Sequence, residues 1–197
     1  MLTGMTPRAT PMTPEDRRTA LAEATLPLLL EHGRTVTTRQ IADAAGVAEG
    51  TIFRVFESKD DLVLAAVERG LDMEPFLADL ATVDADQDLK GVLLDICARL
   101  QIRFRGIFLL MSAMGMVGPG KAHRHGQRDR QLAEKAMVAL VSPYAGELTV
   151  RPDELVHMLR LLTFSGTHPH MSEGRILTPE QIVGTLLYGV AKPQEGI

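Results

Sequence analysis

The groups in this chain best placed to do chemistry lie between Thr37 and Lys59, in the stretch TTRQIADAAGVAEGTIFRVFESK. Helical spacing puts Ala48, Glu49, Gly50, Thr51 and Arg54 on one side of a short segment. A hydroxyl, a carboxylate and a guanidinium grouped this way suit hydrogen bonding to base edges and phosphates. Lys59 adds an ammonium where a further helix opens, and there a cation and helix-terminal N–H groups can meet a phosphate together. Such a face points to binding rather than catalysis.

Two short helices and a tight turn must hold these groups. Thr37 can N-cap a helix that starts near Thr38 and has Gln40 at its third position, a capping-box arrangement. Ile41 with Ala44 or Ala45 supplies its apolar face, and Ala42 is small enough for a close helix crossing. Gly46 follows where a left-handed backbone is needed to leave one helix for the next. Val47, Ile52 and Val55 or Phe56 then point inward, leaving the polar side of the second helix outward for a major groove. Ser58 with Asp61 reads as the start of the third helix, and Lys59 in its first turn opposes the helix dipole.

Thr37, Arg39, Ile41, Ala42, Ala45, Gly46, Val47, Gly50, Thr51, Ile52, Phe53, Phe56, Ser58, Lys59 and Leu62 are in register with a known pattern, and through them the chain resembles the tetracycline-repressor (TetR) family over about twenty-five residues. The resemblance implies DNA binding by Thr38, Arg39, Phe53 and Lys59 at backbone phosphates, with Glu49 and Thr51 at base edges and Arg54 at either. Two departures stand out: the family commonly has Tyr where this chain has Phe53, and His where it has Val55. A hydroxyl and an imidazole that usually touch phosphate are thus missing, which implies weaker anchoring on the same fold. Pro27, inside the first helix, should bend it or remove a hydrogen bond.

Composition fits a small head on a larger helical body. The 197 residues are 45% hydrophobic but only 4% aromatic, which favours aliphatic helix packing. The net charge of −4 argues against a protein that coats nucleic acid indiscriminately. Even the head is not basic by count, with seven Arg or Lys against eight acids from Met1 to Asp60, so placement rather than total charge must carry any DNA affinity. The single cysteine, Cys97, excludes an internal disulfide and sits in an apolar run as a small hydrophobe. No run approaches the length of a membrane span, and the Thr/Pro-rich start lacks a signal-type segment, so a cytoplasmic protein without membrane association is expected.

The expected fold is all-α with about nine helices: a flexible tail over residues 1–13, a helix-turn-helix domain over 14–58 and a ligand-binding and dimerisation domain over 59–197. Thr13, Pro14 and Asp16 open the first helix and Gly33 stops it. A connecting helix is expected from Lys59 to about Leu80, then a stripe from Asp88 to Arg105, with Gly106 separating it from a buried helix IFLLMSAMGMV. Two later helices open at Pro152 and at Thr178-Pro179. Their apolar residues, Leu155, Met158, Leu159, Leu162, Ile182, Val183, Leu186, Leu187 and Val190, are candidates for a homodimer interface, which in proteins resembling this one is a four-helix bundle. Completion of the monomer core is the alternative. Phe104, Phe108, Met111, Met114, Met116 and Phe164 are candidate walls of an effector pocket, with Arg103 and Arg105 the nearest charged groups.

Two His-x-His pairs, His123 with His125 and His168 with His170, could offer imidazoles to a metal with Asp129 or Glu173. On a helix, however, residues two apart point about 200° from each other, and THPHMSEG reads as a loop. His157 reads as a core or interface histidine. No phosphate loop, nucleophile elbow or zinc signature occurs, and GMVGPGK lacks the Walker spacing. The expectation is therefore a non-enzymatic regulator without cofactor or metal, released from a palindromic DNA site by a small apolar or amphipathic effector. A sensor that has lost its operator and a histidine-dependent metalloenzyme are the alternatives.

Overall fold

A computed structural model of the protein describes residues 12–115 and 126–189, within which every regular element is helical. Nine α-helices occur among the described residues. The described residues divide into two compact units, one formed by those up to Gly70 with Ala113–Gly115, the other by Leu71–Ser112 and those from Gly126 onward. Of the tail expected over residues 1–13, residues 1–11 lie outside the described residues, as do Met116, His123, His125 and Val190.

The first unit contains α1 (Pro14–His32), a 3-10 turn (Gly33–Thr35), α2 (Thr38–Ala45), α3 (Glu49–Ile52) and α4 (Lys59–Gly70). α1 starts as its sequence demands: Pro14 needs no N–H partner at the first position, and the Asp16 N–H donates to the Thr13 hydroxyl at 3.1 Å. Pro27 lies within the helix. α1 ends at Gly33, whose φ of 57° suits glycine, and a Cβ there would come within 2.5 Å of the Ala113 carbonyl oxygen. α1 packs on α2 and α4 around Leu21, Leu29, Ile41, Ile52, Phe56 and Leu62, all buried. Each such side chain contributes about 1.5–3 kcal/mol on burial, which is how helices as short as α2 and α3 persist. The Arg69 guanidinium donates to the Glu23 carboxylate at 2.8 Å, tying the far end of α4 to α1.

The second unit contains α5 (Glu74–Leu80), α6 (Leu89–Ala113), α7 (Gly126–Val141), a 3-10 segment (Ser142–Glu147), α8 (Pro152–Thr167) and α9 (Pro179–Tyr188). Leu89, Val92, Leu93, Ile96, Cys97 and Leu100 form the buried stripe of α6, meeting Phe76, Met137, Leu155, Leu159 and Ile182 in one core. Gln101 is the buried polar exception, and its amide donates to the Leu177 carbonyl at 2.7 Å and the Thr167 hydroxyl at 3.2 Å. Leu177 also lies against Gly166, where a Cβ would be 2.9 Å from a Leu177 methyl. These contacts fold the segment after α8 back onto the helices.

Three expectations are corrected. The connecting helix expected from Lys59 to Leu80 breaks after Gly70: Pro75 in the first turn of α5 cannot continue an α-helix through Leu71, and Arg103 takes the freed carbonyls of Leu71 and Asp72, each at 2.8 Å. Gly106 does not separate two helices, because α6 runs through it and the glycine faces open space. The segment after it is not wholly buried either, since Leu110 and Met114 turn inward but Leu109 is 62% exposed. Of the proposed dimer residues, Leu155, Leu159, Ile182 and Val183 are fully inside the core, and Leu162, Leu186 and Leu187 pack against it. Met158, also of that set, is exposed, together with Leu161 and Tyr188.

Candidate functional site

The helix-turn-helix is built from local rules. Thr37 caps α2 with Gln40 closing the box, and the Gln40 carboxamide oxygen accepts from the Thr37 N–H at 2.8 Å. α2 ends in a left-handed Gly46 (φ 65°, ψ 32°), with the Val47 N–H donating to Ala42 and the Gly46 N–H to Asp43. This paired bonding is a Schellman motif, and it sets the angle at which α3 leaves. Ile52 and Phe56 are buried beneath α3, while Ala48, Glu49, Gly50, Phe53 and Arg54 are exposed and Thr51 is half-buried. Of the outward residues expected from helical spacing, all but Thr51 are thus exposed, and Arg39 is exposed on α2. α3 itself is a single helical turn, and Phe53 to Val55 continue it only as turns.

Two side chains of this surface are held in unexpected ways. The Thr38 hydroxyl donates to the Glu49 carboxylate, joining the first residues of α2 and α3. The Lys59 ammonium donates to the carbonyls of Val36 at 2.7 Å and Arg34 at 3.1 Å, so its conflict with the α4 dipole is offset by charge-assisted bonds within the head. One of its three N–H donors is left for another acceptor. Ser58 caps α4 as expected, accepting from the Asp61 N–H at 3.1 Å. A Cβ on Gly50 would meet nothing within 4 Å, so the backbone at the centre of this face is open to close approach.

The second unit holds a cavity of about 1020 Å³, partly open to solvent, between α5, α6, α7, α8 and the segment after α8. Phe104, Phe108, Met111 and Phe164, four of the candidate wall residues, line it. Their rings interlock edge to face, with Phe104 5.2 Å and Phe108 5.0 Å from Phe164. Met114 is not in this wall: it follows the last turn of α6, belongs to the first unit and is buried there. Arg130 and Met137 of α7 and Arg160 of α8 also line the cavity and were not foreseen. The signal was present, because Arg160 and Phe164 stand four residues apart on one face of α8 and His168 follows four residues later, just past its end.

His168 and His170 face the same cavity, yet His168 is committed elsewhere. Its ring lies 4.4 Å from Phe108, and its Nδ1 accepts from the N–H groups of His170 and Met171. That nitrogen acts as a turn cap, as the loop reading of THPHMSEG implies. Cys97 is buried against the Thr163 hydroxyl at 3.4 Å, and burial pushes its thiol up from the usual range. Among the described residues no helix is long and apolar enough to cross a membrane.

Residues 21–66 match the family model of bacterial regulatory proteins of the tetR family. The fold is similar to that of a transcriptional regulator of the TetR/AcrR family from Thermobifida fusca, with a TM-score of 0.61 and 25% identity over 90% of this chain and all of that one. A TetR transcription regulator from Haloarcula marismortui matches with a TM-score of 0.60 and 18% identity, over 89% of this chain and 95% of its own. The transcriptional regulator FadR from Bacillus subtilis, solved in complex with stearoyl-CoA, matches at 0.56 and 14%, over 88% and 99%. The capped α2, the Gly46 turn and the outward face of α3 all lie inside the segment that matches the tetR family of bacterial regulatory proteins, and the chain as a whole has the fold of a TetR/AcrR-family transcriptional regulator.

Proposed function

We propose that the protein is a homodimeric, ligand-responsive transcriptional repressor that docks the outward face of α3 in the major groove and leaves a palindromic operator when a small molecule enters the body. The observation that carries this reading is the cavity of about 1020 Å³, at the top of the range of about 300–1,000 Å³ usual for ligand sites and walled mainly by apolar side chains. Such a volume next to a well-packed core suits an occupant.

A coupling route is available in the chain itself. Leu71 lines the cavity and follows directly on Gly70, the last residue of α4, while Arg103 of the cavity wall holds the Leu71 and Asp72 carbonyls. A ligand that bears on this wall biases the joint from which α4 departs, and so the spacing of two heads on DNA. Exposed Met158, Leu161 and Tyr188 are the apolar groups that α8 and α9 offer to a second copy. Within the head, Thr51 and the second oxygen of Glu49 address base edges, Arg54 a base or phosphate, and Thr38, Arg39, Phe53 and Lys59 the backbone. The stearoyl-CoA bound by the FadR of similar fold supports a ligand with a long apolar part.

The test is fluorescence anisotropy of the purified protein with DNA flanking its own gene, titrated with salt against a scrambled duplex. Selective binding by a dimer with a steep salt slope is expected. Equal, weak binding to both duplexes at low salt sinks the operator reading and favours a sensor that does not read DNA.

A further inference from the structure

The charged residues in the cavity wall are all of one sign. Arg103, Arg105, Arg130 and Arg160 line it, and no Asp or Glu does so among the described residues, in a chain whose net charge is −4. We propose that the occupant is a single-chain anionic amphipath, an acyl-type tail ending in a carboxylate or phosphate-bearing head. The proposal rests on reading the cavity as the effector site.

The division of the wall fits such a molecule. Phe104, Phe108, Phe164, Met111 and Met137 present a continuous apolar and aromatic lining for the tail, adaptable where the methionines stand. Arg103 and Arg160 are half-buried and Arg105 and Arg130 exposed, so positive charge runs from the wall to the rim. The half-buried guanidiniums of Arg103 and Arg160, set beside an apolar lining, make this wall a ready partner for an anion. Burial pulls the Arg103 guanidinium down from its ordinary range, Asp72 and Asp129 oppose that shift, and neither carboxylate is part of the wall. Arginine suits this role because it stays charged and can grip a carboxylate or phosphate with two parallel N–H bonds. The same field repels an organic cation of equal chain length.

The experiment is isothermal titration of the full-length protein with four probes below their micelle-forming concentrations: dodecanoate, dodecanoyl-CoA, dodecan-1-ol and dodecyltrimethylammonium. Dodecanoate or dodecanoyl-CoA should bind about tenfold to a hundredfold more tightly than the alcohol, and the ammonium weakest of all. The stronger of the first two identifies the head as a lone carboxylate or a nucleotide thioester. Shortening the preferred probe by two methylenes should weaken it roughly fifteenfold. Arg160→Gln should remove most of the preference for anion over alcohol, and Arg105→Gln serves the same purpose if the first variant does not fold. Equal binding of dodecanoate, alcohol and ammonium overturns the anionic assignment while leaving the cavity a ligand site. No binding by any probe overturns both.

Discussion

The hydroxyl of Thr38, the first residue of α2, donates to the carboxylate of Glu49, the first residue of α3. This bond spans the turn of the helix-turn-helix and fixes an acid at the entrance of the face proposed to meet DNA. A bare carboxylate there repels phosphates, whereas one anchored by Thr38 presents its second oxygen as an oriented acceptor for a cytosine amino group. Thr38→Val should therefore lower selectivity more than total affinity. In a double-mutant cycle with Glu49→Gln, measured on operator and scrambled DNA, a coupling of about 0.5–1.5 kcal/mol is expected. Strict additivity would mean that the bond does no work in recognition.

Lys59 bridges structure and binding. Its ammonium holds the Val36 and Arg34 carbonyls, so Lys59→Met should destabilise the head by about 1.5–3 kcal/mol in urea unfolding. If its third N–H also meets a phosphate, affinity should fall alike for all sequences, and the salt slope should drop by about one. A loss of stability with slope and affinity unchanged would make Lys59 a purely internal tie.

Gln101 supports the cavity from behind. Its amide holds Leu177 and Thr167 in a buried setting, so Gln101→Leu leaves the Leu177 carbonyl without that donor. The expected cost is about 1–3 kcal/mol of stability, together with faster hydrogen exchange across residues 168–178. Unchanged exchange there would show that Gly166 packing alone holds the segment.

The Cys97 thiol is buried and pushed up by that burial, and therefore carries little thiolate near neutral pH. Ellman's reagent should leave it untouched in the native protein and react with it fully in denaturant. Rapid native labelling would mean that the body core opens far more often than its packing suggests.

The head was legible because its rules are local. Thr37 with Gln40, Gly46, and Ser58 with Asp61 each announce a cap or turn within three or four residues, and each appears where its chemistry requires. The apolar stripe of α6 was readable for the same reason. What could not be read depends on distant partners. The break between α4 and α5 is stabilised by Arg103, some thirty residues away in sequence, and the burial of Leu155 and Ile182 depends on which side of α8 and α9 the α6 stripe meets. Periodicity marks an apolar face but does not say whether core or partner covers it. Arg130 and Arg160 went unread because they belong to two helices that only the fold brings against α6.

Phe53 offers the sharpest check on the orientation of the head. It caps the C-terminus of α3, is 53% exposed, and presents bare aromatic surface on the face assigned to DNA. Phe53→Tyr adds a hydroxyl at the ring tip without changing any buried contact, so the unfolding midpoint should not move. If the tip faces a phosphate, the new O–H···O bond contributes about 0.5–1.5 kcal/mol, a roughly twofold to tenfold gain in affinity. Because phosphate contacts carry no sequence information, operator and scrambled duplexes should gain alike. A neutral hydroxyl displaces no counterion, so the salt slope should stay fixed while the whole line shifts upward. Anisotropy titrations of the two proteins at several salt concentrations separate these outcomes, and an unchanged affinity would turn this ring, and with it the proposed docking of α3, away from the DNA backbone.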